Sequence, residues 1–64
     1  MIKVNGENIE IEKINLLKLI EEKKFNPKRI AVEINGEIIK RGTYADTEIN
    51  NGDKVEIVCF VGGG

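Results

Sequence analysis

Residues 1–22 read "MIKVNGENIEIEKINLLKLIEE", and the change of period inside them decides the fold. Ile2 and Val4, then Ile9 and Ile11, are spaced at two with polar residues between them. Such alternation suits strands that bury one face. Asn5-Gly6 stands between the runs, and both residue types tolerate the positive φ of a tight hairpin turn. The spacing predicts one strand over about 1–5 and a second over about 8–13. The period then becomes helical. Leu16, Leu17 and Ile20, with Ile14 or Lys24 adjoining, share a helical face, while Lys18, Glu21 and Glu22 point away from it. Asn15 stands where its side chain can accept an orphan backbone N–H, and Lys23 and Lys24 suit the negative end of the helix dipole. Pro27 forbids continuation, so the helix is expected over about 16–24.

The chain beyond repeats the hairpin grammar. In "RIAVEINGEIIKRG" (29–42), Ile30, Val32 and Ile34 make one face, Asn35-Gly36 turns the chain, and 37–40 returns as a short strand. "TYADTEINNGD" (43–53) reads as a loop with room for one helical turn around 43–46, and Asn51-Gly52-Asp53 leads into the last strand. Two hairpins and one convincing helix exclude a doubly wound architecture, which needs several crossover helices. The expected class is α+β, with the helix covering one face of a mixed sheet. Right-handed connectivity makes the first and last strands parallel neighbours in its centre.

The last strand, "KVEIVCFV" (54–61), is informative by parity. Val55, Ile57, Cys59 and Val61 form the parity that is apolar throughout and should meet the core. The other parity starts charged, with Lys54 and Glu56, and turns apolar at Val58 and Phe60. Val58 and Phe60, with Ala31 beside them, are therefore expected as an exposed apolar patch. Such a patch on a small domain suggests partner binding. Cys59 is expected to pack as a small hydrophobe, and Tyr44 to plug the core with its hydroxyl at the surface.

Composition narrows the function. Sixty-four residues make one domain, and a chain of that length buries only about 60% of its unfolded surface, leaving little room for an enclosed active site. Ten basic residues face eleven acidic ones, for a net charge of −1. The densest basic stretch, Lys23, Lys24, Lys28 and Arg29, stands beside Glu21 and Glu22 and reads as a solvated face, so no nucleic-acid partner is expected. There is no His and one Cys. That excludes an internal disulfide, leaves a metal site short of soft ligands and gives the thiol no base to activate it. No stretch has the apolar length of a signal peptide or a membrane span, and a cytoplasmic protein with no membrane partner is expected.

What remains is the end of the sequence, "CFVGGG" (59–64). A terminal carboxylate is a poor acyl donor until it is joined to AMP, when a sulfur or nitrogen nucleophile can attack the mixed anhydride. That chemistry requires the carboxyl to be held in another protein's active site. Glycine suits the task because, lacking Cβ, it threads narrow tunnels and leaves the acyl carbon unhindered. Three extended residues give a reach of roughly 10 Å.

Three stretches carry a family resemblance: "AVEINGEII" (31–39), Arg41 ahead of an aromatic residue, and "INNGDKVEIVCFVGGG" (49–64). Together with the element order, they make the chain similar to the ubiquitin-like, β-grasp sulfur carriers of thiamine biosynthesis over essentially its whole length. The resemblance implies a β-grasp mixed sheet of four to five strands under one main helix, with a domain over 1–61 and a flexible glycine tail over 62–64. It implies a carrier acted on by partner enzymes rather than an enzyme, with no cofactor of its own. An E1-like adenylyltransferase would adenylate Gly64 with ATP. Sulfur from a cysteine desulfurase persulfide or a related donor would give the thiocarboxylate, and thiazole synthase would accept the sulfur. Gly62 and Gly63 would form the arm that enters both enzymes, flanked by Val58, Phe60 and Val61. Related Gly-Gly carriers serve molybdopterin synthesis, tRNA thiolation or ubiquitin-like modification. A plain β-grasp interaction domain remains the alternative of a different class.

Overall fold

The computed structural model describes residues 1–60, so the expectations placed on Val61, Gly62, Gly63 and Gly64 lie outside the described residues. The elements are β1 (Ile2–Val4), β2 (Glu7–Ile9), β3 (Lys13–Asn15), α1 (Leu16–Glu22), a 3-10 turn (Pro27–Arg29), β4 (Ile30–Ile34), β5 (Glu37–Ile38), a longer 3-10 segment (Arg41–Asp46), β6 (Glu48–Asn50) and β7 (Lys54–Cys59). Five strands form a mixed sheet in the order β2-β1-β7-β4-β5, and β3 and β6 form a separate two-stranded one. β1 and β7 run parallel in the centre, as the connectivity predicts, and every other pairing is antiparallel.

The second strand ends earlier than its alternation suggested. The Ile11 N–H donates to the Ile9 carbonyl at 2.9 Å, a three-residue turn that breaks the run at Glu10. The chain then pairs elsewhere: Ile14 of β3 faces Ile49 of β6, both buried, within the stretch expected to be loop. The helix also stops short of the expected residue 24. Lys24 takes a positive φ of 64°. Its N–H donates to the Glu21 carbonyl, and the Phe25 N–H donates to that of Ile20, both at 3.0 Å. This is a Schellman ending with lysine in the place usually held by glycine. The helix therefore closes before Pro27, which instead opens the 3-10 turn, with Asn26 accepting from the Lys28 N–H. At the other end Asn15 caps as predicted, accepting from the Lys18 N–H at 3.1 Å.

Leu16, Leu19 and Ile20 form the buried stripe of α1. Leu17, expected on that face, is only half-buried, so the stripe is turned by one position. These side chains pack on Ile2, Val4, Ile30, Val32, Val55 and Ile57 of the sheet, and Tyr44 is buried with them. Burial of so many aliphatic side chains, at roughly 1.5–3 kcal/mol each, is what holds a domain this small.

The two Asn-Gly turns do more than reverse the chain. Asn5 (φ 51°) and Gly6 (φ 83°), and again Asn35 (φ 53°) and Gly36 (φ 85°), have the paired positive φ values of type I′ turns. Each asparagine also grips β7. The Asn5 Oδ1 accepts from the Ile57 N–H at 2.7 Å and its Nδ2 donates to the Ile57 carbonyl at 3.2 Å. The Asn35 Oδ1 accepts from the Lys54 N–H at 2.9 Å. Asn5→Ala is therefore expected to destabilise by about 2 kcal/mol, since it strands two part-buried backbone groups and replaces a residue that tolerates positive φ by one that does not. Asn5→Gly should recover the conformational part alone, about 1 kcal/mol. Urea midpoints with an unchanged m-value measure both; equal costs for the two variants would show that the side-chain bonds are the whole effect.

Candidate functional site

β7 sits between β1 and β4, and its outward face is left to solvent. Val55 and Ile57 point into the core as parity requires, while Val58 and Phe60 are 59% and 52% exposed. The expected apolar patch is thus present on the outer face. The 3-10 segment that could have covered it instead packs against α1 and inserts Tyr44 into the core. Ala31 lies directly across from Val58. Cys59 corrects the parity reading. It stands opposite the buried Ile30 yet is exposed, so on β7 the covered inner face ends at Ile57 while on β4 it reaches Ile30. A parity argument gives a direction but not the extent of what lies there.

The last described residue is fixed to the body. The Phe60 N–H donates to the Arg29 carbonyl at 2.8 Å, one step beyond the β4–β7 ladder. Phe60 also lines an open cleft of about 510 Å³ with Asn26, Lys28 and Arg29. The described chain thus ends on a paired strand, beside an apolar ring and two cations. Lys28 and Arg29 had read as part of a solvated basic face, and only the pairing of β4 with β7 brings them beside Phe60.

Ile38 joins the same face. It pairs with Glu33, which shares the outward parity with Ala31, and it is 72% exposed. Its place was available from the sequence, because a two-residue turn at Asn35-Gly36 fixes Ile34 opposite Glu37 and Glu33 opposite Ile38. Among the described residues, no group of three or more His, Cys, Asp or Glu stands close enough to hold a metal ion. No described helix is long and apolar enough to cross a membrane.

One helix laid across a mixed five-stranded sheet, with the first and last strands parallel in its centre, is the architecture of a ubiquitin-like β-grasp carrier. Three comparisons narrow the class. The profile of the ThiS family matches residues 2–64. The crystal structure of the thiamine biosynthesis protein ThiS from Geobacter metallireducens superposes with a TM-score of 0.78 at 33% identity, covering 98% of this chain and 97% of that one. The sulfur carrier protein ThiS of Bacillus subtilis is 35% identical over 66 residues, spanning the whole of both chains. The chain belongs to the ThiS family. It is also 39% identical over 62 residues to a protein of Paramagnetospirillum magneticum called thiazole synthase, of whose length the match covers 19%.

Proposed function

We propose that the protein carries sulfur for thiazole formation as a thiocarboxylate on Gly64. The carboxylate oxygen attacks the α-phosphorus of ATP in the active site of an E1-like adenylyltransferase, releasing pyrophosphate and leaving an acyl adenylate. Hydrosulfide, or a persulfide sulfur later freed by a thiol, attacks the acyl carbon, and AMP departs. The thiocarboxylate then gives its sulfur to thiazole synthase. The protein acts as co-substrate in each step. Gly62 and Gly63 thread the arm through the partner's tunnel, and Val58, Phe60 and Val61 flank the docking surface.

The observation that carries this reading is the exposed Val58–Phe60 end of the central strand β7, held by β4 and followed in the sequence by Val61 and the glycines. Ordering such an arm costs about 1–2 kcal/mol of backbone entropy per residue, more for glycine. Burying the apolar patch against a partner offsets that cost. The match to a segment of a thiazole synthase adds support, because a carrier-like stretch within the enzyme's own chain is the arrangement expected if the two work on one another. The same match favours thiazole formation over molybdopterin synthesis or tRNA thiolation as the destination of the sulfur.

Incubation with ATP, the organism's E1-like adenylyltransferase and sulfide should raise the intact mass by the difference between a sulfur and an oxygen atom. The added sulfur should disappear when thiazole synthase and its small-molecule substrates are supplied. An unchanged mass with an adenylyltransferase competent on its own carrier would overturn the proposal.

A further inference from the structure

The ladder between β4 and β7 ends against the 3-10 turn that precedes β4. Ala31 pairs with Val58 and Ile30 with Cys59. One step on, the Phe60 N–H donates to the Arg29 carbonyl at 2.8 Å. Facing residues of an antiparallel pair exchange two bonds or none, in alternation. Arg29 and Phe60 stand at an exchanging position, as do Asn35 and Lys54 at the ladder's other end, where the Asn35 N–H reaches the Lys54 carbonyl at 2.8 Å. By that alternation Cys59 exchanges no bond with Ile30, and the next exchanging pair back is Ala31 with Val58.

Arg29 gives only half of its exchange. Its N–H is turned to the Asn26 carbonyl at 2.9 Å, which closes the 3-10 turn. The Lys28 N–H is taken as well, by the Asn26 Oδ1 at 2.9 Å. Pro27 has no N–H to give, and a strand cannot draw a ladder bond from it. The turn thus offers β7 one carbonyl, at Phe60, and no donor. Asn26 creates this state, because its main-chain and side-chain oxygens each accept one of the N–H groups.

We propose that Asn26–Arg29 is a positioning element for adenylation of Gly64: it holds β7 as far as Phe60 and ends the pairing there. The arm is thereby set at residues 61–64. The inference rests on the carrier reading and adds to it the groups that fix where the arm begins. Four extended residues reach roughly 13–14 Å. Without the Phe60 bond the last held position on β4 retreats to Val58, so Cys59 and Phe60 must also be ordered each time the carboxylate is placed. Ordering a single residue costs enough backbone entropy to slow a reaction on the order of tenfold. Arg29 acts through its carbonyl and Asn26 through the turn, and neither touches the reacting atoms.

The test removes that N–H and keeps the side chain. Ligation at Cys59 joins residues 1–58 to a synthetic peptide of residues 59–64 carrying phenyllactate at position 60, which puts an ester oxygen where the N–H was. Single-turnover pyrophosphate release by the organism's E1-like adenylyltransferase is followed across carrier concentration, beside the all-amide chain. The expectation is a saturating rate lower by roughly tenfold, with the half-saturating concentration unchanged. A merely structural bond would do the reverse, because loss of folded carrier raises the concentration needed and leaves the saturating rate alone. Asn26→Ala should slow the saturating rate in the same sense, and in the free protein it should speed hydrogen exchange at the Phe60 amide. Asn26→Asp keeps an acceptor for the Lys28 N–H and should restore both. Equal saturating rates for ester and amide, or a loss confined to the half-saturating concentration, would overturn the proposal. So would an Asp variant no better than the Ala one. Absence of pyrophosphate release with the unaltered chain would sink the carrier reading, whereas exchange at Phe60 judges the turn's hold on the strand whatever the enzyme does.

Discussion

A chain lacking Gly63 and Gly64 should form no acyl adenylate and no thiocarboxylate, yet melt within a degree or two of the intact protein. The two halves of this expectation have separate causes. The hydrogen bonds and buried side chains described above lie within residues 1–60, and the deletion removes none of them. Changes away from core, caps and networks usually stay within about 0.5 kcal/mol. The chemistry has no such margin. Each extended residue spans about 3.3–3.6 Å, so the deletion withdraws the carboxylate by roughly 7 Å. Reacting atoms must approach within about 3–3.5 Å, and a misplacement of about 1 Å already costs on the order of a hundredfold in rate. Loss below detection is therefore expected in both pyrophosphate release and the intact-mass measurement. Because the truncated chain keeps the face around Val58 and Phe60, it should compete with the intact carrier for the adenylyltransferase. A truncated chain that still gains sulfur would show that the glycines are incidental, as a plain interaction domain requires.

How much of this was legible in the sequence depends on how local each feature is. The two Asn-Gly turns, the Asn15 cap and the outward parity of Val58 and Phe60 are set within a few residues, and all are present as read. The pairing of Lys13–Asn15 with Glu48–Asn50 joins segments some thirty-five residues apart, and three-residue strands show too little alternation to announce themselves. The helix end was misplaced because Pro27 is an unmistakable stop, whereas a lysine at positive φ gives no signal in composition. Cys59 was misread for a further reason: parity assigns a side chain to a face, but only the assembled core says how far along the strand that face is covered. Of the site, the apolar end of β7 could be read from the sequence. Its charged flanks could not, because they exist only through the register of β4 against β7.

That register also explains why the last strand is so firmly held. β7 is paired with β4 from Val55 to Cys59 and with β1 at Lys54 and Val55, and the asparagine of each hairpin turn adds side-chain bonds to its backbone. Under the proposed carrier function a fixed strand end is an advantage, since any play in the strand would add to the error in placing the carboxylate. Both turns thus brace the same strand, one from each side.

The same division between an inward and an outward face predicts opposite behaviour for two chemically identical substitutions. Ile20 is fully buried beneath the sheet, whereas Ile38 is 72% exposed on the sheet's other side. Ile20→Ala removes methylene and methyl contacts and leaves a cavity, at a cost of about 3–4 kcal/mol. A single core of this size supplies only about 3–5 kcal/mol net. The variant should therefore lose most of its stability, with Tm falling by roughly 15 °C or more, and be substantially unfolded at 37 °C. Ile38→Ala should shift the urea midpoint by less than about 0.5 kcal/mol equivalent. Adenylation should invert the order. At low temperature, once corrected for the folded fraction, Ile20→Ala should keep the KM of the unaltered carrier because its docking face is intact. Ile38→Ala, fully folded, should raise KM because it strips apolar surface from that face. Equal stability losses from the two variants would mean that the helix does not cover the face assigned to it. Equal KM values would mean that the outward face of β4, β5 and β7 is not where the partner sits.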